Sequence, residues 1–99
     1  MDWEYINLKT QEDRLHFLED HGFNFLIRET YWGEHVEYTP LYYACIKGEY
    51  DIVQYLLEHG ASPTQGVYDD YGIRFDSPWG YATGHKNAEL INLIKPYIK

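Results

Sequence analysis

Apolar residues recur along this chain at the spacing of a helix face. Ile52, Val53, Leu56 and Leu57 form one stripe at 3.6-residue spacing, ended by Gly60. Just upstream, Leu41 and Ala44 stand at i, i+3, and Ala44 is small enough for close helix approach. Thr39 offers a capping hydroxyl, and Pro40 suits the first helical position, where no N–H partner is needed. Gly48 can take the left-handed conformation that ends this first helix and starts a reversal. The pattern predicts a helix pair, Pro40–Lys47 and Tyr50–His59. Each helix has one apolar face, which the pair cannot bury alone, so neighbouring copies are expected.

An offset of 38 residues supplies them. Going back, Gly22, His21, Leu18, Leu15, Asp13, Ile6 and Trp3 fall on Gly60, His59, Leu56, Val53, Asp51, Ala44 and Leu41. Going forward, Ser77-Pro78-Trp79 falls on Thr39-Pro40-Leu41, Ala82 on Ala44, Leu90-Ile91 on Ile52-Val53 and Ile94 on Leu56. Four further helices follow: Trp3–Lys9, Gln11–His21, Pro78–His85 and Ala88–Lys95, with Pro96 ending the last. The outer copies depart from the central one. Arg14 and Glu19 replace Ile52 and Leu57, as expected where an end repeat meets water. Lys86 replaces Gly48, beside an Asn87 that tolerates left-handed geometry.

The central run, Thr39-Pro40-Leu41-Tyr42-Tyr43-Ala44-Cys45-Ile46-Lys47-Gly48 followed by Asp51-Ile52-Val53-Gln54-Tyr55-Leu56-Leu57-Glu58-His59-Gly60-Ala61, closely resembles the ankyrin repeat. That family's pattern runs T-P-L-H-x-A-A-x-x-G, then x-I-V-x-x-L-L-x-x-G-A. The resemblance implies an all-α repeat fold, a solenoid of three helix pairs in a single domain over 1–99. Its units are Met1–Tyr38, Thr39–Asp76 and a terminal pair, Ser77–Lys99. It also implies a scaffold that grips other proteins and brings no catalytic apparatus.

Two connections add something to that frame. Gly22 to Thr39 and Gly60 to Ser77 each span 17 positions, and the family's connections are about five residues shorter. The first has β-branched and aromatic residues around Trp32-Gly33, which predicts an extended hairpin. The second places Val67-Tyr68 and Ile73-Arg74-Phe75 around Asp69-Asp70-Tyr71-Gly72, a hairpin in which Gly72 supplies positive φ. By resemblance, such fingers line the side that takes a partner. Their tips combine aromatics with acids, as interface hot spots do. Their aromatics could instead pack on one another, above all at the bases, including Phe25, Ile27 and Phe75. Ile46 and Lys47, the variable positions before Gly48, align with Leu8-Lys9 and Gly84-His85 and suit either partner contact or simple packing.

Charge narrows the partner. The chain carries a formal charge of −8, with six acids against two bases in Met1–Gly22 and three bases against one acid in Ser77–Lys99. That balance speaks against a nucleic-acid backbone and for a protein with a basic surface, although acidity also serves solubility. The sequence has 44% hydrophobic residues, enough for a core, and no apolar run of membrane-spanning length. Met1-Asp2-Trp3-Glu4 lacks signal-peptide character, and the single Cys45 reads as a buried packing thiol in a reducing compartment; a cytoplasmic location is expected.

No phosphate loop, serine-hydrolase elbow or Cys-x-x-Cys occurs, so an enzyme is not expected. His21 and His59 precede helix-ending glycines, where they favour the helix dipole. His16 with Asp20 gives only two candidate ligands, and His35 and His85 stand isolated on the surface. Asp69-Asp70 with Asp76 lacks the alternating spacing of a calcium loop; no metal or cofactor is expected.

The sequence therefore predicts a module, monomeric on its own, that masks one basic protein, as an immunity protein or inhibitor neutralising a toxin such as a nuclease does. The alternative is a non-inhibitory adaptor or a self-associating subunit of a larger complex. The residues expected to contact the partner are Tyr31, Trp32, Glu34, His35, Glu37, Tyr38, Ile46, Lys47, Tyr68, Asp69, Asp70, Tyr71, Arg74 and Asp76.

Overall fold

A computed structural model describes residues 2–31, 34–65, 67–68 and 74–98, without the side chains of residues 2, 3, 31, 34, 67, 68, 74 and 75. Six α-helices carry most of it: α1 (Asp2–Ile6), α2 (Gln11–His21), α3 (Pro40–Lys47), α4 (Tyr50–Glu58), α5 (Pro78–Gly84) and α6 (Ala88–Ile94). Strands β1 (Ile27–Tyr31) and β2 (Glu34–Tyr38) lie between α2 and α3, and β3 (Val67–Tyr68) and β4 (Arg74–Asp76) between α4 and α5.

The caps start the helices where the sequence places them. Tyr42 N–H donates to Thr39 Oγ1 at 3.2 Å, Gly80 N–H to Ser77 Oγ at 3.0 Å and Asp13 N–H to Thr10 Oγ1 at 3.1 Å. Each satisfies a first-turn donor that has no partner within its helix. The two later interhelical turns share one geometry. Glu49 N–H donates to Ala44 O at 2.9 Å, and Asn87 N–H to Ala82 O at 3.0 Å. Gly48 makes the first reversal at φ 70°. Lys86 makes the second at φ 54°, itself left-handed despite its side chain. Asn87 then acts as a cap, accepting from Leu90 N–H at 3.2 Å.

At the chain's end the α-helix stops at Ile94, and a 3-10 turn over Lys95–Tyr97 takes in Pro96. The expected stop at Pro96 is thus a change of helix type one residue before it. Proline fits there because the turn's first residues need no internal N–H donor. The helix at the beginning is also shorter than expected, ending at Ile6.

Helix α3 lies at the centre, packed against α4 and α5, while α4 contacts α2 and α6. Leu41, Ala44, Cys45, Ile52, Val53, Leu56, Leu57, Ala82, Leu90 and Ile94 form a continuous buried core with Tyr5, Leu18 and Ile27. Burial pushes the Cys45 thiol up to about 12, consistent with its packing role.

Arg14 is not the water-facing replacement that its polarity suggests. It forms a part-buried bidentate ion pair with Glu49, its Nε donating at 3.1 and 2.9 Å and its Nη2 also reaching Oε2. Nη1 donates to the carbonyl of Leu8. The pair ties α2 to the start of α4, because Glu49 is that helix's N-cap residue. Glu19 does remain exposed.

Candidate partner-binding site

The two hairpins are one sheet. The strands run antiparallel in the order β1-β2-β3-β4, and β2 pairs with β3, joining the hairpin before α3 to the one after α4. The sheet's bottom rung reads Ile27↔Tyr38↔Val67↔Asp76, and the next crosses from Arg28↔Glu37 to Tyr68↔Arg74 through an irregular register. Above them lie Glu29↔Val36, Thr30↔His35 and Tyr31↔Glu34.

Alternation along the strands divides the candidate residues. On the bottom rung, Ile27 is fully buried, and Tyr38 stacks on Tyr42 with centroids 5.7 Å apart. Asp76 accepts a hydrogen bond from the Tyr42 hydroxyl at 2.6 Å and from Ser77 N–H at 2.8 Å. Tyr38 and Asp76 are therefore anchors of the sheet, and these bonds occupy the Asp76 carboxylate that was expected to meet a partner. Phe25, also at the base, packs edge-on against Tyr5 and Phe17 at 5.6 and 6.0 Å.

The second rung and the Thr30↔His35 rung point the other way, toward solvent. Glu37 pairs with Arg28 at 3.4 Å, and His35 is exposed with Nδ1 3.2 Å from the Thr30 hydroxyl. The pair is weak at this exposure and open to competition from another charge. Glu29, half-buried on the helix-facing side, lies close enough to Tyr43 to add to the burial that raises its hydroxyl pKa.

On α3, Ile46 is half-buried against the core, which favours its packing reading. Lys47 is exposed, with Nζ 5.3 Å from the Tyr43 ring centroid, a cation–π placement. His85, expected to be isolated, has its Nδ1 3.0 Å from Tyr81 O and its ring tilted 31° over the Tyr81 ring, centroids 4.2 Å apart. His21 with Phe17 and His59 with Tyr55 repeat this arrangement, with Nδ1 to carbonyl distances of 3.2 and 2.7 Å. The carbonyl can only accept, so Nδ1 carries the proton in each case. Trp32, Asp69, Asp70 and Tyr71 lie outside the described residues, as do Gly33 and Gly72. So do the side chains of Tyr31, Glu34, Tyr68, Arg74 and Phe75.

One feature escaped sequence reasoning. A cleft of about 380 Å³ lies between Phe23–Leu26, the start of α3 and Gly60–Ser62. Leu26 stands at its edge, 40% exposed. The only available signal was the repeat register, which sets Phe23 on Ala61 and Leu26 on Thr64.

Residues 37–66 match the family model of the ankyrin repeat. The chain carries an ankyrin repeat. Ankyrin repeats are protein–protein interaction modules, and the family is generally non-enzymatic. The match covers the central copy, where the capping threonine, the glycine turn and the second apolar stripe are all present. No curated protein and no solved structure matches the chain. Among the described residues, no group of three or more His, Cys, Asp or Glu side chains could hold a metal ion. None of the described helices is long and apolar enough to cross a membrane.

Proposed function

We propose that this ankyrin-repeat chain is a stack of three units, 1–38, 39–76 and 77–99, that binds and masks a basic protein through its hairpin sheet and the neighbouring end of α3. The observation that carries the reading is the joining of both lengthened hairpins into one sheet, which makes them a single continuous surface. Acidic charge supports the sign of the partner. Glu4, Glu12, Asp13, Glu19 and Asp20 are all exposed, and the whole chain carries −8. Trp32, Tyr31, Tyr68 and Tyr71 serve as anchors, while Glu34, Glu37, Asp69 and Asp70 meet cationic side chains. Within this reading, the narrower role is that of an immunity protein or inhibitor covering a toxin's basic active-site surface, such as a nuclease's.

Cross-linking mass spectrometry on complexes recovered from the native host tests this, using wild-type chain beside Trp32→Ala and Tyr71→Ala. Cross-links on residues 28–37 and 67–74 of this chain, to a basic partner, are the expected result. Each aromatic variant should weaken that complex by about 1–4 kcal/mol with little change in melting temperature. An acidic partner, or cross-links confined to α2 and α6, would overturn the proposal.

A further inference from the structure

Tyr42 reaches the base of the sheet in two chemically different ways. Its ring stacks 8° from parallel against Tyr38, the last residue of β2. Its hydroxyl donates to Oδ2 of Asp76, the last residue of β4. One side chain of α3 thus touches both hairpins at the rung where they join. The other oxygen of Asp76 accepts from Ser77 N–H and lies beside Gly80, where a Cβ would come within 2.6 Å of it. Glycine at position 80 leaves that carboxylate room to sit over the start of α5.

Packing alone does not call for this hydroxyl. Tyr42 is only 7% exposed, and phenylalanine would fill nearly the same space without a polar group to satisfy. The hydroxyl adds direction, since a hydrogen bond restricts distance and angle where stacked rings can slide. The second hairpin needs such a constraint. Its register is irregular at Val67/Tyr68, so this ladder directs its strands less firmly than the regular β1–β2 ladder does. We infer that Tyr42 is a positioning residue, setting the angle at which the sheet leaves the helices without touching anything bound at the tips. The importance of that angle rests on the docking role proposed above; the anchoring does not.

Residue-resolved hydrogen exchange on the full chain tests the anchoring with no partner present. Tyr42→Phe keeps the ring on Tyr38 and removes the hydroxyl. Amides of β3 and β4 should then exchange at least about tenfold faster, with β1 and α4 unchanged. Gly80→Ala, which displaces the Asp76 carboxylate, should give the same pattern, and Tyr42→Leu should loosen both hairpins. Unchanged exchange in β3 and β4 of Tyr42→Phe would overturn the inference. So would a rise matched in α4, because the hydroxyl would then serve only global stability. Should Tyr42→Leu fail to fold, the other two variants decide. A negative result leaves the docking proposal standing, whereas a loosened sheet with undiminished partner affinity would count against docking.

Discussion

Replacing Glu49 with glutamine removes a charge and almost no volume, which makes it a direct probe of the Arg14–Glu49 pair. The Arg14 and Glu49 side chains are 13% and 8% exposed, so neither is well solvated when left alone. Breaking a buried pair from one side usually costs about 3–5 kcal/mol, because the surviving charge remains in a poor solvent. Arg14 keeps the Leu8 carbonyl and a little exposure, and the new amide oxygen can still accept one bond. These features place Glu49→Gln toward the lower end, about 2–3 kcal/mol. A domain of 99 residues is stable by roughly 5–15 kcal/mol, so the variant should melt roughly 8–24 °C lower. The assay is urea and thermal unfolding followed by circular dichroism at 222 nm. Arg14→Met, Glu49→Leu and the two together form a double-mutant cycle, and the apolar pair should lie within about 1 kcal/mol of wild type. A Glu49→Gln loss under about 0.5 kcal/mol would refute the reasoning, as would simple additivity in the cycle.

Three other outcomes follow from the same structure. Leu56, fully buried at the centre of the core, should cost about 2–5 kcal/mol as alanine and unfold the whole chain in one transition; separate transitions at the two ends would contradict this. Lys86→Gly should raise stability by about 0.5–1 kcal/mol, since it relieves the φ of 54° at the last interhelical turn, and a lower urea midpoint would show that the strain argument fails. Burial raises the Tyr5, Tyr42 and Tyr43 hydroxyls, with the Glu49, Asp76 and Glu29 carboxylates respectively adding to the shift. Their unfolded-state values lie near 10, so their contribution is intact below pH about 10 and is lost as pH rises above it, when only the unfolded chain releases those protons. Absorbance at 295 nm should show these three ionising late and together with loss of helical signal; smooth ionisation of all eleven tyrosines with the fold intact would contradict it.

The sequence by itself determined the features whose causes lie within one turn or one hairpin. The caps at Thr39 and Ser77 and the reversal at Gly48 are made within five residues, and the stripe from Ile52 to Leu57 needs only helical periodicity to be read. The strands flanking 32–33 and 69–73 were legible for the same reason, since strand propensity is local; the turn residues between them lie outside the described residues. The family match lies within 37–66, and the 38-residue offset on either side of it is carried by the sequence pattern alone.

Only the tertiary structure decided which polar residues face inward. Arg14 meets a residue 35 positions away and Tyr42 one 34 positions away, and nothing near either in sequence announces the partner. A lone arginine or aspartate therefore reads as solvent-facing or as a binding group, because burying a charge is unfavourable until its counterpart is in view. Asp76 reads as a partner-meeting acid on that logic, while its carboxylate accepts from Tyr42 and Ser77 at the base of the sheet. The joining of the two hairpins through Glu37↔Tyr68 and Tyr38↔Val67 is of the same kind. Strand pairing is set by how the helices beneath bring the hairpins together, and that spacing exists only once α3 has packed against its neighbours.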